Sequence, residues 1–269
     1  MKRLAFFAIA GLGAAVVAGQ LSACVNVTTG SGSVEVVFDE SYPFAPGGEV
    51  VASLGSADVE IRTSARSDAR VTVEGTEKAF EQARFTVTNE NGRLTVATKP
   101  QANVNIQIGR SLQIVVEVPE DVSVNAEVGS GEVTIGTVRG ALAIETGSGD
   151  VETGDVGAAA EIETGSGSVS TGDVAGGIDI STGSGDVSFA VSRAAPVSVE
   201  TGSGDVDGVI PADAGFSLSI GTGSGNIDVD GRLGLEVDGD DRDLEVEIGG
   251  GGPPLRIGTG SGDVDLRAR

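Results

Sequence analysis

Histidine and tryptophan are absent from this 269-residue chain, cysteine, methionine and tyrosine occur once each, and aromatic residues make up only 3%. Without histidine the commonest general base and the commonest metal ligand are missing. Few large rings leave the apolar volume to Val, Ile, Ala and Thr, which suits a thin core. Beyond Lys2 the only lysines are Lys78 and Lys99. The formal charge is -23, from 17 basic and 40 acidic residues. Removing residues 1–23 takes away Lys2 and Arg3 but no acid, so the remainder stands at -25. That balance excludes nucleic acid as a partner. It fits surface solubility, cation attraction or a salt-rich habitat.

The amino terminus has the layout of an export signal: a basic start, an apolar run from Leu4 to Ala18, and small residues before the single cysteine. Leu21-Ser22-Ala23-Cys24 resembles the bacterial lipobox, so residues 1–23 read as a lipoprotein signal peptide and Cys24 as the lipidated first residue. A lone thiol in an exported chain has no internal disulfide partner, which supports that role. The competing reading is an uncleaved membrane anchor over Leu4 to Ala23. Val25 follows the cysteine instead of Asp, and by resemblance to Gram-negative sorting this favours the outer membrane. Residues 24–33 then form a lipid anchor and flexible tether, with the membrane as a partner.

The 43 glycines are not scattered. Apart from an isolated Gly30-Ser31-Gly32 that reads as linker, Gly-Ser-Gly opens at Gly129, Gly147, Gly165, Gly183, Gly202, Gly223 and Gly260, at intervals of 18, 18, 18, 19, 21 and 37. Each copy follows a period-two apolar pattern, as in Leu142-x-Ile144-x-Thr146, and precedes another, as in Val151-x-Thr153. A short regular period of this kind means stacked coils. The expected fold is all-β: a single-stranded parallel β-solenoid over 34–269, wound right-handed as strand-crossover chirality requires. Its regular coils span about 122–229, a projecting hairpin insertion about 231–254, and a final coil 255–269. Leu235–Val237 and Leu244–Ile248 are the expected hairpin arms. Earlier, Glu49–Arg62, Arg70–Gly75, Phe85–Ala97 and Gln113–Val118 carry strand patterns, and Thr76–Arg84 reads as one short helix.

The glycines closing each turn, Gly131, Gly149, Gly167, Gly185, Gly204, Gly225 and Gly262, together with the opening ones, are structural turn residues: both are expected to permit positive φ, with the serine satisfying free backbone groups. A nucleotide loop is excluded because the motif recurs seven times between Gly129 and Gly262 and leads into strands instead of a helix. No cofactor is expected. After each turn stands a column of Glu132, Asp150, Ser168, Asp186, Asp205, Asn226 and Asp263, and Asp155 and Asp173 form a second short ladder. Asp150, Asp155, Asp173, Asp186 and Asp205 are weak calcium candidates. They lack the Gly-Gly-x-Gly-x-Asp spacing of calcium β-rolls, and solvated turn acids are the plainer reading.

PGGEVVASLGSADVEI at Pro46–Ile61, the repeated IETGSGDV coils and the terminal IGGGGPPLRIGTGSGDVDL together resemble the bacterial β-strand-repeat putative adhesin family, a domain of unknown function. The resemblance covers about Val34 to the end. It implies a β-solenoid at the cell envelope and carries no functional residues with it. The chain is therefore expected to be a lipid-anchored, non-enzymatic binding, adhesion or scaffold module, with a protein or glycan ligand unspecified. The alternatives are a periplasmic structural or envelope-stress accessory and, further off, a polysaccharide-active enzyme using Asp240 or Asp241 in the irregular stretches 62–110 and 231–254.

Overall fold

The computed structural model describes residues 34–99, 112–235 and 242–269. Contacts divide the chain into Met1–Gly32 and Ser33–Arg269, and only the second unit is described. Cys24, the tether, Asp240 and Asp241 lie outside the described residues.

The unit opens with β1 (Glu35–Pro43), β2 (Gly48–Leu54), β3 (Asp58–Ser64), β4 (Asp68–Gly75), helix α1 (Glu77–Ala83), β5 (Thr86–Glu90), β6 (Arg93–Ala97) and β7 (Leu112–Pro119). The helix falls where the sequence places it. The Thr76 hydroxyl accepts the Ala79 N–H at its start, and Arg84 ends it in the left-handed region with φ 48°.

The regular coils follow as strand pairs: β8 (Val122–Val128) with β9 (Val133–Ile135), β10 (Leu142–Thr146) with β11 (Val151–Thr153), and β12 (Ala160–Thr164) with β13 (Val169–Val174). Next come β14 (Ile178–Thr182) with β15 (Val187–Val191), β16 (Val197–Thr201) with β17 (Val206–Ile210), and β18 (Phe216–Thr222) with β19 (Ile227–Val229). A short 3-10 turn at Gly231–Leu233 leads towards β20 (Asp243–Ile248), β21 (Pro254–Thr259) and β22 (Val264–Ala268).

Two 11-stranded sheets result. One runs β1-β4-β7-β3-β9-β11-β13-β15-β17-β22-β19, the other β20-β18-β21-β16-β14-β12-β10-β8-β2-β6-β5. All pairings between coils are parallel, as in Leu142↔Ala160 and Ile144↔Ile162, which agrees with an all-β solenoid. Antiparallel pairing is confined to the ends, at β1/β4, β4/β7, β5/β6 and β18/β20.

The alternation expected from the sequence sets the core: Leu142, Ile144 and Thr146 point in, while Ala143 and Glu145 point out. Because parallel strands are in register, each inward position becomes a column. A third buried column, Val138, Val156 and Val174, joins by isolated bridges. Phe189 is fully buried, and its ring occupies the space beside Gly208, where a Cβ would sit 2.7 Å from the Phe189 Cζ.

Stacking order departs from chain order at both ends. The first coil, β2/β3, is bracketed by β6/β7 and β8/β9, and the last coil, β21/β22, lies between β16/β17 and β18/β19. Strand β20 pairs with β18 and forms the edge of its sheet. Of the first expected hairpin arm, Leu235 is not in a strand and 236–237 lie outside the described residues.

Candidate functional site

Three features recur along the stack, the glycine corner, the acid column after it and the buried threonine column before it, and a groove lies on the outer face of the second sheet.

In the corner the two glycines do different work. A Cβ on Gly147 would lie 2.6 Å from the Gly129 carbonyl oxygen, and one on Gly149 would lie 2.0 Å from that of Gly131. The same approach recurs at Gly129, Gly165, Gly183, Gly202, Gly223 and Gly260, and at Gly131, Gly167, Gly185, Gly204, Gly225 and Gly262. Only the second glycine of each corner also has positive φ, between 136° and 156°. The expectation of positive φ at both is thus corrected: the first glycine is required by the nearness of the neighbouring coil, not by its own torsion. Two pairs of serine hydroxyls meet each other instead of the backbone, Ser56 with Ser130 at 3.0 Å and Ser203 with Ser261 at 3.3 Å.

The acid column is a set of stitches between coils. A carboxylate oxygen of Asp58 accepts the Glu132 N–H at 3.0 Å, Asp150 that of Ser168 at 2.8 Å, Asp186 that of Asp205 at 2.9 Å, Asp205 that of Asp263 at 2.8 Å, and Asp263 that of Asn226 at 2.7 Å. Neighbouring charges ~5 Å apart in water repel by about 0.8 kcal/mol, and a hydrogen bond from a backbone N–H to a charged acceptor offsets that. In the second ladder Asp155 accepts the Asp173 N–H at 2.9 Å, and Asp173 pairs with Arg269 at 2.6 Å. The five calcium candidates therefore already hold protein donors or a cation, Asp150, Asp155, Asp186 and Asp205 through one oxygen each. Among the described residues no group of three or more acid, cysteine or histidine side chains is arranged to hold a metal ion.

Buried threonines precede the corners. Thr182, Thr201, Thr259 and Thr222 donate to the carbonyls of Gly167, Gly185, Gly204 and Gly262 at 2.9–3.3 Å, again from one coil to the next. Sequence reasoning aligned these threonines as inward positions without assigning that bond. Their place one residue before each Gly-Ser-Gly from Gly147 onward is shared by Thr146, which donates within its own coil to the Ser148 carbonyl, and by Thr164, whose buried hydroxyl has no partner, so position alone does not give the bond.

The groove has a volume of about 560 Å³ and crosses the second sheet from Glu49 of β2 to Arg256 of β21. Its floor is poor in side chain: Ala141, Ala143, Ala159, Gly177 and Pro196 line it, with Glu161 and Asp179 adjacent across β12 and β14 and Arg256 farther along. Nothing in the sequence marked it, because it forms only when the positions one residue before and one residue after the first buried residue of each strand line up in register.

Carboxyl groups with depressed pKa lie away from the groove. The Arg70 guanidinium holds Asp39 below the usual carboxylate range, Arg66 does so for Asp68, and Arg232 with two backbone N–H groups does so for Asp230. Burial, then the hydrogen bond to Glu40, raises Tyr42. These are ion-pair and packing effects at the two ends of the stack. Among the described residues no helix is long and apolar enough to cross a membrane.

The family model described as Toastrack DUF4097 matches residues 49–160 and again 137–267. No curated protein matches the chain. Among solved structures it is similar to a "putative cell adhesion protein" from Clostridium sporogenes, at 11% identity and TM-score 0.41, covering 87% of this chain and 100% of that one. It is also similar to a "putative adhesin" from Bacteroides fragilis, at 10% identity and TM-score 0.40, covering 86% and 96%. A "putative lipid binding protein" from Parabacteroides distasonis aligns at 14% identity and TM-score 0.29, covering 86% and 96%.

Proposed function

The chain belongs to the Toastrack DUF4097 family, and from that premise we propose that it is a lipid-anchored cell-envelope module that binds a partner along its solenoid surface and catalyses no reaction. The observation that carries this reading is the groove of about 560 Å³ running across coils of the second sheet. Successive coils cross its floor at the strand spacing of ~4.8 Å, so an extended peptide or glycan chain lying along it meets one coil after another. Repeated weak contacts then add as avidity.

Absence of histidine and the periodic placement of the acids support a non-enzymatic role. The leader and the four lipobox positions at Leu21–Cys24 support export and anchoring through Cys24, at the outer membrane where the host has two. Residues 24–33 are then the tether, and the solenoid winds right-handed.

The test has two parts. Radiolabelled fatty acid should be incorporated in the native chain and lost in Cys24→Ser, which should also leave the membrane fraction. Partners crosslinked in native membranes should be lost when Ala143→Arg and Ala159→Arg fill the groove, with the melting temperature unchanged. A partner retained in that variant but lost on altering β20 favours an envelope accessory that binds through the end of the stack. Protease resistance in intact cells that ends on permeabilising the outer membrane rules out an outward-facing adhesin.

A further inference from the structure

The out-of-order stacking has a physical consequence that is independent of the binding reading. Every ladder partner of the last coil lies in one contiguous stretch. Leu255–Thr259 pairs with Val197–Thr201 on one side and Leu218–Thr222 on the other. Val264–Ala268 pairs with Val206–Ile210, and Val264–Leu266 with Ile227–Val229. The corner bonds match: Thr259 donates to the Gly204 carbonyl at 3.0 Å, and Thr222 donates to that of Gly262 at 2.9 Å. Leu255, Ile257, Val264 and Leu266 are buried in the same slot. None of these contacts depends on which chain supplies the coil.

The connection into the slot is a hinge. Strand β20 runs antiparallel to β18 at the sheet edge, and the chain then reverses through Gly249, Gly250 and Gly251, at φ 60°, 89° and 82°, to bring β21 back parallel between β18 and β16. If that reversal straightens, β20 and β21 become one extended run and the coil is carried out of the slot along the strand direction, beyond the Phe216 end of β18. Both walls of the slot precede the coil in the sequence. A closed monomer and a reciprocal exchange make the same interior contacts, and they differ only in the hinge and in the entropy of association.

We propose that the Pro254–Arg269 coil is exchangeable between copies: a second copy of this chain donates it into the slot between the Val197–Ile210 and Phe216–Val229 coils, giving a two-fold dimer joined at that end of the stack.

The Ser203 and Ser261 hydroxyls are 3.3 Å apart across the slot, which supplies the test. In the full chain carrying Cys24→Ser, a Ser203→Cys, Ser261→Cys double variant should close its disulfide within one chain in the monomer fraction. Chains carrying only Ser203→Cys and chains carrying only Ser261→Cys should then be unfolded, mixed, refolded at high concentration and oxidised. The expected result is a mixed dimer of twice the chain mass on a non-reducing gel, reduced to monomer by thiol. Deleting Gly250 and Gly251, so that the reversal cannot close, should raise the dimer fraction seen by light scattering. Efficient closure within the double variant with no mixed disulfide between the single variants would overturn the proposal.

Discussion

Asp205 accepts the backbone N–H of Asp263 at 2.8 Å, although the two residues are 58 positions apart. The same bond joins Asp186 to Asp205, 19 positions apart, so an identical stitch serves both a coil and its sequence neighbour and a coil with the much later one inserted above it. Replacing Asp205 by Ala removes the acceptor and should cost about 1–2 kcal/mol in urea unfolding, while Asn, which keeps an acceptor oxygen, should cost clearly less. Equal losses for the two substitutions would show that charge, and not the bond to the next coil, is what matters.

The two glycine environments predict a graded response. Gly167→Ala places a Cβ 2.1 Å from the Gly149 carbonyl oxygen at φ 143°, and should lower stability by about 2–3 kcal/mol or prevent folding. A Cβ on Gly258 meets nothing within 4 Å, and Gly258→Ala should leave thermal unfolding unchanged or slightly raise it. A comparable melting-temperature loss in both would contradict the close-approach account.

Phe189 and Gly208 are paired by shape. Gly208→Ala would set a Cβ 2.7 Å from the Phe189 Cζ and 2.9 Å from the Leu266 Cδ1, so it should destabilise by about 1–3 kcal/mol. Adding Phe189→Leu should recover part of that loss, since the smaller side chain vacates the space. Additive losses in the double variant would mean that the two sites do not share a contact.

Acid should loosen the end of the stack first. Asp230 is held well below its ordinary pKa by the Arg232 side chain, then by the Arg232 and Ala268 backbone N–H groups. A depressed folded pKa gives a contribution that is full above the unfolded value of about 3.9 and is lost as pH falls towards the folded one. Amide exchange in 264–269 is therefore expected to rise below about pH 4 before that of the central coils. Asp230→Asn should show the faster exchange already at neutral pH, with a flatter response to acid.

Calcium should do little. Asp150, Asp155, Asp186 and Asp205 each hold a neighbouring N–H, and Asp173 holds Arg269. Melting temperatures with calcium and with EDTA at low ionic strength are expected to coincide. A rise reversed by EDTA would return these carboxylates to the list of metal ligands.

The coils were legible because their information is local and periodic. Thr146-Gly147-Ser148-Gly149 states a strand end and a corner in four residues, and alternation such as Leu142-x-Ile144 gives the buried face without knowledge of the neighbouring coil. The short helix was legible from the same kind of signal, with Thr76 at its start. The groove was not, since Ala141, Ala159 and Gly177 are unremarkable singly and become one surface only through parallel register. Nor was the different role of the two corner glycines, which depends on how near the neighbouring carbonyl lies.

By itself, then, the sequence determined the secondary-structure period, the inward and outward positions and the parallel sense of the stack, because each follows from spacing along one strand and its turn. Only the tertiary structure decided which coil lies beside which. Coils with the same Thr-Gly-Ser-Gly edge offer nearly equal ladders to any neighbour, so local pattern does not distinguish them. What separates them is long-range: the glycine reversal at 249–252, the antiparallel β20 edge, and the contacts of Asp173 and Asp230 with the 268–269 end of the last coil.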